Sequence, residues 1–336
     1  IRTKLHRPSV PPDAVDRDRL IELMENACKA PLTLVSAPAG YGKSVLAAQW
    51  AERCDTPVAW LSLDESETDL QLFLQYFIAS IHTVLPEACP STAVLAGAPE
   101  LPPVPVLAAS LLNEIDAIDQ PLVMVVDDFH RIDPSSAVNE FIEHLIEHPW
   151  RLARLVIITR RDPPIRIPGL LAGAKLAEVR LEDLRFNDSE TAELLAGATQ
   201  TPVSEGTLHI LQREVEGWAV GLRLTALALR LTEDPDTLVQ RLGGGLPQIQ
   251  EYLLREVLAV QPPEVRERML EASILERFCP AVLDALRPSG RAATPAGPDG
   301  RDLVKLLQAA PDDATRRKAE LALLTICARS ARKISC

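Results

Sequence analysis

The stretch LTLVSAPAGYGKSVLAAQW, Leu32–Trp50, decides the fold. It opens as a short apolar run with β-branched residues, the pattern of a buried strand. It then turns through small residues and two glycines, and resumes at Lys43 with helical spacing. In a strand–loop–helix of this kind, successive main-chain N–H groups point inward around an anion. The helix N-terminus adds roughly half a positive charge. Gly40 and Gly42 permit backbone angles that a side chain would forbid. The motif reads A-x-x-x-x-G-K-S, with Ala37 where the usual pattern has glycine. Ala37, Pro38, Ala39, Gly40, Tyr41, Gly42, Lys43, Ser44 and Val45 are therefore expected to cradle phosphates. Lys43 is to reach the β- and γ-phosphates and the Ser44 hydroxyl to ligate Mg²⁺. A Gly-Lys-Ser turn can open any helix by chance; the strand before it and the helix after it supply the context the motif needs.

Working outward, VAWLSL (58–63), PLVMVVDDF (121–129) and RLVIITR (154–160) read as further buried strands, with LAEVRLEDL (176–184) as a fifth. FLQYFIASIHTVL and SAVNEFIEHLIEH carry helical periodicity, the latter with Asp133 as the expected N-cap and Pro134 at the first helical position. GAPELPPVPV (97–106) reads as a loop. Strands alternating with helices predict an α/β fold with a mostly parallel sheet and right-handed crossovers.

Two further strand ends carry candidate chemistry. In PLVMVVDDF the apolar run leads into Asp127, expected to hold the Mg²⁺ shell, and Asp128, expected to orient or deprotonate an attacking water. In LVIITRRDPP, Arg160 follows the apolar run directly and is preferred over Arg161 as the sensor of a γ-phosphate. An exposed basic pair ending a strand accounts for the same residues almost equally well. His130 follows the acid pair and could either touch the phosphate site or bond a neighbouring loop. Trp218 is expected to pack between helices, and Tyr41 to be exposed.

After about residue 186 the pattern turns helical. FNDSETAELL reads as a capping box with Asn187 and Glu190, and helices are expected over 188–196, 204–216, 218–231, 236–242, 249–260 and 263–273. Beyond about 287 comes RPSGRAATPAGPDGRD, a low-complexity linker, and then a locally basic tail. The expected domains are a P-loop unit (1–185), a helical lid (186–260), a partial winged-helix region (261–287) and the linker with tail (288–336).

Composition narrows the partners. The chain has 336 residues, a formal charge of −12 and a pI near 5.1, so a broad electrostatic grip on nucleic acid is not expected from most of its surface. Cys28, Cys54, Cys89, Cys279, Cys327 and Cys336 form no C-x-x-C pair, which argues against zinc or a disulfide framework and suits a reducing cytosol. No apolar run has the length of a membrane span, and IRTKLHRPSV lacks the shape of a signal peptide. A start at Ile1 is what a fragment would show.

KLHRPSVPPDAVDRDRLIELM, TLVSAPAGYGKSVLAAQWA, VAWLSLDESETD, LVMVVDDFHRI and GWAVGLRLTALALR together resemble the N-terminal ATPase module of the MalT-type regulators. These are the large ATP-binding members of the LuxR group, within the STAND class of signalling NTPases. The likeness runs from about Lys4 to about Leu286. It implies a nucleotide-operated switch: ADP-bound at rest, exchanging to ATP on binding an inducer, self-associating, activating transcription through a C-terminal DNA-binding unit, and reset by slow hydrolysis. By the same resemblance Val15, Asp16 and Arg17 line the adenine pocket, largely through backbone, and Gly217, Trp218 and Gly221 lie in the lid. The family's sensor and DNA-binding regions find no match here, so inducer and DNA are expected to meet segments outside this chain. The sequence near residue 287 departs from the family, as a truncation or a change of frame would make it. The rival reading is a metabolic P-loop kinase, which would need an acceptor site.

Overall fold

The computed structural model describes residues 2–165, 173, 175–198 and 203–229. The chain divides into two compact units, Ile1–Arg185 and Phe186–Cys336. The first holds a five-stranded, fully parallel sheet of β1 (Leu32–Ser36), β2 (Val58–Ser62), β3 (Leu122–Asp127), β4 (Ala153–Thr159) and β5 (Leu176–Val179), in the order β2-β3-β4-β1-β5. Every residue of β1 and β3 is buried, which is why these strands are near-continuous apolar runs rather than alternating ones.

Helices cover the sheet: α1 (Asp18–Ala27), α2 (Lys43–Arg53), α3 (Leu70–His82), α4 (Pro90–Ala96), α5 (Val104–Ala117) and α6 (Ala137–Glu147). The core between sheet and helices includes Phe73, Phe77 and Phe141, whose ring centroids lie 5.5 to 6.3 Å apart, two of the three pairs edge-on. Burying each such ring contributes about 1.5–3 kcal/mol, so this cluster seats α3 and α6 firmly on the sheet.

The strand order has one consequence for function. β4 lies between β1 and β3, and all three run the same way. Their carboxyl ends, which carry the glycine-rich loop, the acid pair and the arginine pair, therefore open side by side on one rim.

The expected elements need four corrections. Only Leu176–Val179 of the fifth run is strand; Leu181–Leu184 forms a helical turn, α7, because Asp183 accepts from the Arg180 N–H and closes a capping box there. Helix α6 is capped by Ser136, whose hydroxyl accepts from the Val138 N–H at 3.1 Å, and not by Asp133. The Asp133 carboxylate is already used in a turn, accepting from Ser135 N at 2.8 Å and Ser135 Oγ at 2.6 Å. The Pro-rich stretch is not wholly loop: α5 starts at Val104 behind Pro103, since a proline in the first turn has no N–H to lose. Finally α1, α4 and the 3₁₀ turn Arg2–Leu5 were not anticipated.

In the second unit the described helices are α8 (Asp188–Ala198), α9 (Glu205–Val215) and α10 (Ala219–Leu229). The capping box is present: Asn187 Oδ1 accepts from Glu190 N at 2.8 Å and Glu190 Oε2 from Asn187 N at 3.0 Å. Leu195, Leu211, Ala226 and Leu229 form its core, with Trp218 packed against them. A Cβ on Gly221 would come within 2.5 Å of the Trp218 ring and 2.7 Å of Val215, so only glycine lets the start of α10 lie this close. The helices expected beyond residue 231, the winged-helix region and the tail lie outside the described residues.

Candidate nucleotide site

The cradle grows directly out of β1. Gly40 and Gly42 both sit in the left-handed region, at φ 81° and 79°, and Gly42 is the N-cap of α2. Lys43, the first helical residue, is 8% exposed and folds back over its own loop, its ammonium donating to the Pro38 carbonyl at 2.9 Å. Burial, seconded by the Arg160 guanidinium, holds the Lys43 ammonium down to about 8, while Asp127 and Asp128 pull it upward.

Ser44 points across the sheet to the end of β3. Its hydroxyl donates to Asp127 Oδ1 at 3.1 Å, and the same oxygen accepts the Asp128 N–H at 2.8 Å. Asp127 is 4% exposed. Burial lifts its carboxyl to about 6, the Asp128 charge adds to the lift, and Ser44, the Asp128 N–H and Lys43 oppose it. Asp128 adopts φ 57°, ψ 34°, opening the 3₁₀ turn Phe129–Arg131. That left-handed backbone is one of three among the described non-glycine residues, with Cys89 and Glu216.

These groups fit a magnesium–polyphosphate. Ser44 and Asp127 place two hard oxygens together, to which phosphate and water would add the rest of a Mg²⁺ shell. The Arg160 charge acts against the Lys43 ammonium, and the Asp128 charge against the Asp127 carboxylate, so an anion beside the first pair and a cation beside the second would relieve both. Arg160 follows the last residue of β4, the strand that lies between those leading into the glycine loop and the acids. Arg161 instead donates to the His130 carbonyl at 3.3 Å.

Tyr41 departs from expectation: it is buried, at 5% exposure, rather than exposed. The expected adenine segment is engaged with protein through the side chains of Asp16 and Arg17 and the main chain of Val15. Asp16 pairs with Arg53 at 2.6 Å, Gln49 donates to the Val15 carbonyl at 3.2 Å, and Arg17, 7% exposed, donates to the carbonyls of Leu184 and Arg185 at 2.9 and 2.7 Å. Arg19 adds bonds to Asp183 and Arg185 at 2.7 and 2.6 Å. This double clamp on the end of the first unit had no signal in the sequence, because its acceptors are main-chain carbonyls. Asp162 had no signal for a different reason, its partners being distant in the chain: it accepts from the Ser36 hydroxyl at 2.7 Å and pairs with Arg180. A cleft of about 430 Å³ lined by Cys28, Trp50, Cys54 and Arg154 lies at the opposite, amino-terminal edge of the sheet and shares no residue with the cradle.

A parallel sheet with a Gly-Lys-Ser loop after one strand and a buried acid ending another defines a P-loop NTPase. The comparisons agree. The AAA ATPase domain family matches residues 15–158 and the MalT winged helix domain family matches 254–304. The chain belongs with the N-terminal ATPase modules of the MalT-type regulators. It is 32% identical over 288 residues to the HTH-type transcriptional regulator MalT of Yersinia enterocolitica, covering 84% of this chain and 31% of that protein. It is 33% identical over 285 residues to the serine/threonine-protein kinase PknK of Mycobacterium tuberculosis, covering 84% of this chain and 26% of that protein. The chain thus spans under a third of the length of these relatives. A Walker-type ATPase of Pyrococcus abyssi shares the fold, with a TM-score of 0.50 at 13% identity over 96% of this chain and 98% of that one. No helix among the described residues is long and apolar enough to cross a membrane.

Proposed function

We propose that this chain is the nucleotide-operated switch of a MalT-like transcriptional activator, binding ATP or ADP with Mg²⁺ and hydrolysing ATP slowly. The observation that carries the reading is the meeting of Lys43, Ser44 and Asp127 on one rim, with Arg160 following the strand that lies between theirs. The loop amides from Ala37 to Val45 and Lys43 hold the phosphates. Ser44 and Asp127 hold Mg²⁺, which screens charge on the phosphates. Asp128 orients the attacking water and takes its proton, and Arg160 stabilises charge as the terminal phosphate leaves. The backbone of Val15, Asp16 and Arg17 receives the adenine. Slow chemistry suits a switch, whose purpose is a shift of population between ADP and ATP forms.

Self-association belongs to the ATP form, and inducer and DNA meet other segments of the full-length protein, in the cytoplasm. The domain division proposed is a P-loop unit to residue 185, a lid to about 260, a partial winged helix to about 287 and a linker with tail. A relative named as a kinase keeps phosphotransfer as the second reading.

The test is the nucleotide that co-purifies with the chain. ADP held in the wild type, with affinity lowered about ten- to hundred-fold or more in Lys43→Ala by loss of charge-assisted bonds, supports the switch. Full-strength adenine-nucleotide binding by Lys43→Ala defeats it. Transfer to a small-molecule acceptor faster than release of free phosphate favours the kinase.

A further inference from the structure

The turn that carries Arg160 is held from both sides, and one of its ties has no role in the scheme above. Asp162, two residues after Arg160, accepts from the Ser36 hydroxyl at 2.7 Å and pairs with Arg180. Ser36 is the last residue of β1 and leads into the phosphate loop; Arg180 directly follows β5. Since β1 lies between β4 and β5, this one carboxylate ties the ends of three neighbouring strands together at the root of the loop.

Each anchor is itself fixed. Ser36 is 8% exposed, and the Ala37 N–H after it donates to the Thr159 carbonyl at 3.4 Å. Arg180 also pairs with Glu178, its N–H donates to Asp183 Oδ2 at 2.8 Å, and it is the N-cap of α7, whose last carbonyl Arg17 holds. On the other side of the turn, the Thr159 hydroxyl donates to the Arg161 carbonyl at 2.5 Å, and the Arg161 guanidinium to the His130 carbonyl at 3.3 Å. Arg160 stands between Thr159 and Arg161, and its own side chain has no hydrogen-bond partner among the described residues.

Magnitudes separate a structural role for this tie from a positioning one. The Asp162 side chain is 41% exposed and that of Arg180 28%, so their ion pair adds little to stability. Aim is worth more: a misplacement of about 1 Å at a reacting group can cost about a hundredfold. An arginine on a long stem with many rotamers reaches one defined place only if the main chain beneath it is fixed. A loosened turn therefore weakens the grip on a third phosphate, while a diphosphate, which lacks that group, is held as before.

We propose that Asp162 is a positioning residue that sets nucleotide preference: anchored by Ser36 and Arg180, it holds the Arg160 turn in register with the phosphate loop, and so favours a nucleoside triphosphate over a diphosphate. This rests on the reading of Arg160 as the group that meets the terminal phosphate, and names what aims it.

The test measures, by calorimetry on the full chain, the affinities for ADP and for a non-hydrolysable ATP analogue in the wild type, Asp162→Ala, Asp162→Asn, Arg160→Ala and the double variant Arg160→Ala/Asp162→Ala. Arg160→Ala is expected to lower the ratio of analogue to ADP affinity about tenfold or more, by loss of a charge-assisted contact. Asp162→Ala lowers the same ratio about five- to tenfold and leaves ADP affinity within about twofold. The double variant loses no more than Arg160→Ala alone, since Asp162 acts through Arg160. Asparagine, which still accepts from Ser36 but offers Arg180 no charge, falls between Asp162→Ala and the wild type. Should Asp162→Ala be unfolded by circular dichroism, Asp162→Asn is judged by the same ratio, alone and combined with Arg160→Ala. A wild-type ratio in Asp162→Ala, a loss of ADP affinity equal to that of the analogue, or additive losses in the double variant overturn the proposal and leave the Arg160 reading intact. An unchanged ratio in Arg160→Ala overturns that reading, and this proposal with it.

Discussion

Gly42 carries a backbone demand that no other side chain meets cheaply. Its φ is 79°, and a Cβ built there meets nothing within 4 Å, so the constraint is torsional and not one of space. Gly42→Ala is expected to fold, and to lose about 1–2 kcal/mol in urea denaturation for holding an L-residue in the left-handed region. A loss well above that range would mean that the loop cannot keep its shape. Lys43, Ser44, Asp127 and Asp128 were legible in the sequence because their chemistry is tied to local context: a glycine-rich turn before a helix, and acids ending an apolar run. Tyr41 was not legible. Whether a loop residue faces out or in depends on what the rest of the chain stacks against it, and here it is buried at 5% exposure.

Among elements, the N-terminal 3₁₀ turn Arg2–Leu5 shows how a segment without periodicity is tied down. Lys4 Nζ bonds Glu67 at 2.5 Å and Asp64 at 2.7 Å, and lies 5.2 Å from the Tyr76 ring centroid; the Glu67 side chain is fully buried. The Lys4 and Asp64 hydrogen bond, with Ser66, holds the Asp64 carboxyl well below the usual carboxylate range. Burial lowers the Lys4 ammonium, but its bonds to Asp64 and Glu67 outweigh that and raise it. A depressed acid stabilises above its unfolded pKa of 3.8, and the gain is lost as pH falls through the folded value. A raised lysine stabilises below 10.5, and its gain is lost as pH rises through the folded value. Docking of residues 2–5 should hold between about pH 4 and pH 10 and loosen below, read as faster amide exchange there at pH 3 than at pH 7 after correction for intrinsic rates. Equal protection at both pH values would refute it. Asp64 is half exposed, so the effect on global stability is small. Strands β1 to β4 were readable because a strand buried on both faces must be apolar throughout. Helix starts were less so: Asp133 and Ser136 are both good caps, and the choice fell to Ser136 once Asp133 was spent on Ser135.

At the scale of the molecule, the proposed switch is expected to change how it meets other copies of itself. The proposed function predicts that the full-length protein sediments as a monomer with ADP and as a larger species with a non-hydrolysable ATP analogue, and that Lys43→Ala stays monomeric in both. Identical sedimentation of the wild type with either nucleotide would remove self-association from the scheme. Arg17 and Arg19, flanking the start of α1, hold the carbonyls of Asp183, Leu184 and Arg185, the last residues of the first unit. The segment proposed to receive adenine and the exit of the P-loop unit are thereby one hydrogen-bonded piece.

The amino-acid sequence alone determined the class of fold, the phosphate loop and the acid pair, since each is written in neighbouring residues whose spacing maps onto strand, turn and helix. Only the tertiary structure decided that β4 lies between β1 and β3, and so brings Arg160, which follows β4, between the ends of the other two strands. It also decided where the arginines of the N-terminal segment reach. Those partners are far apart along the chain, and main-chain carbonyls, which every residue carries, leave no mark in a sequence to say which of them will be bound.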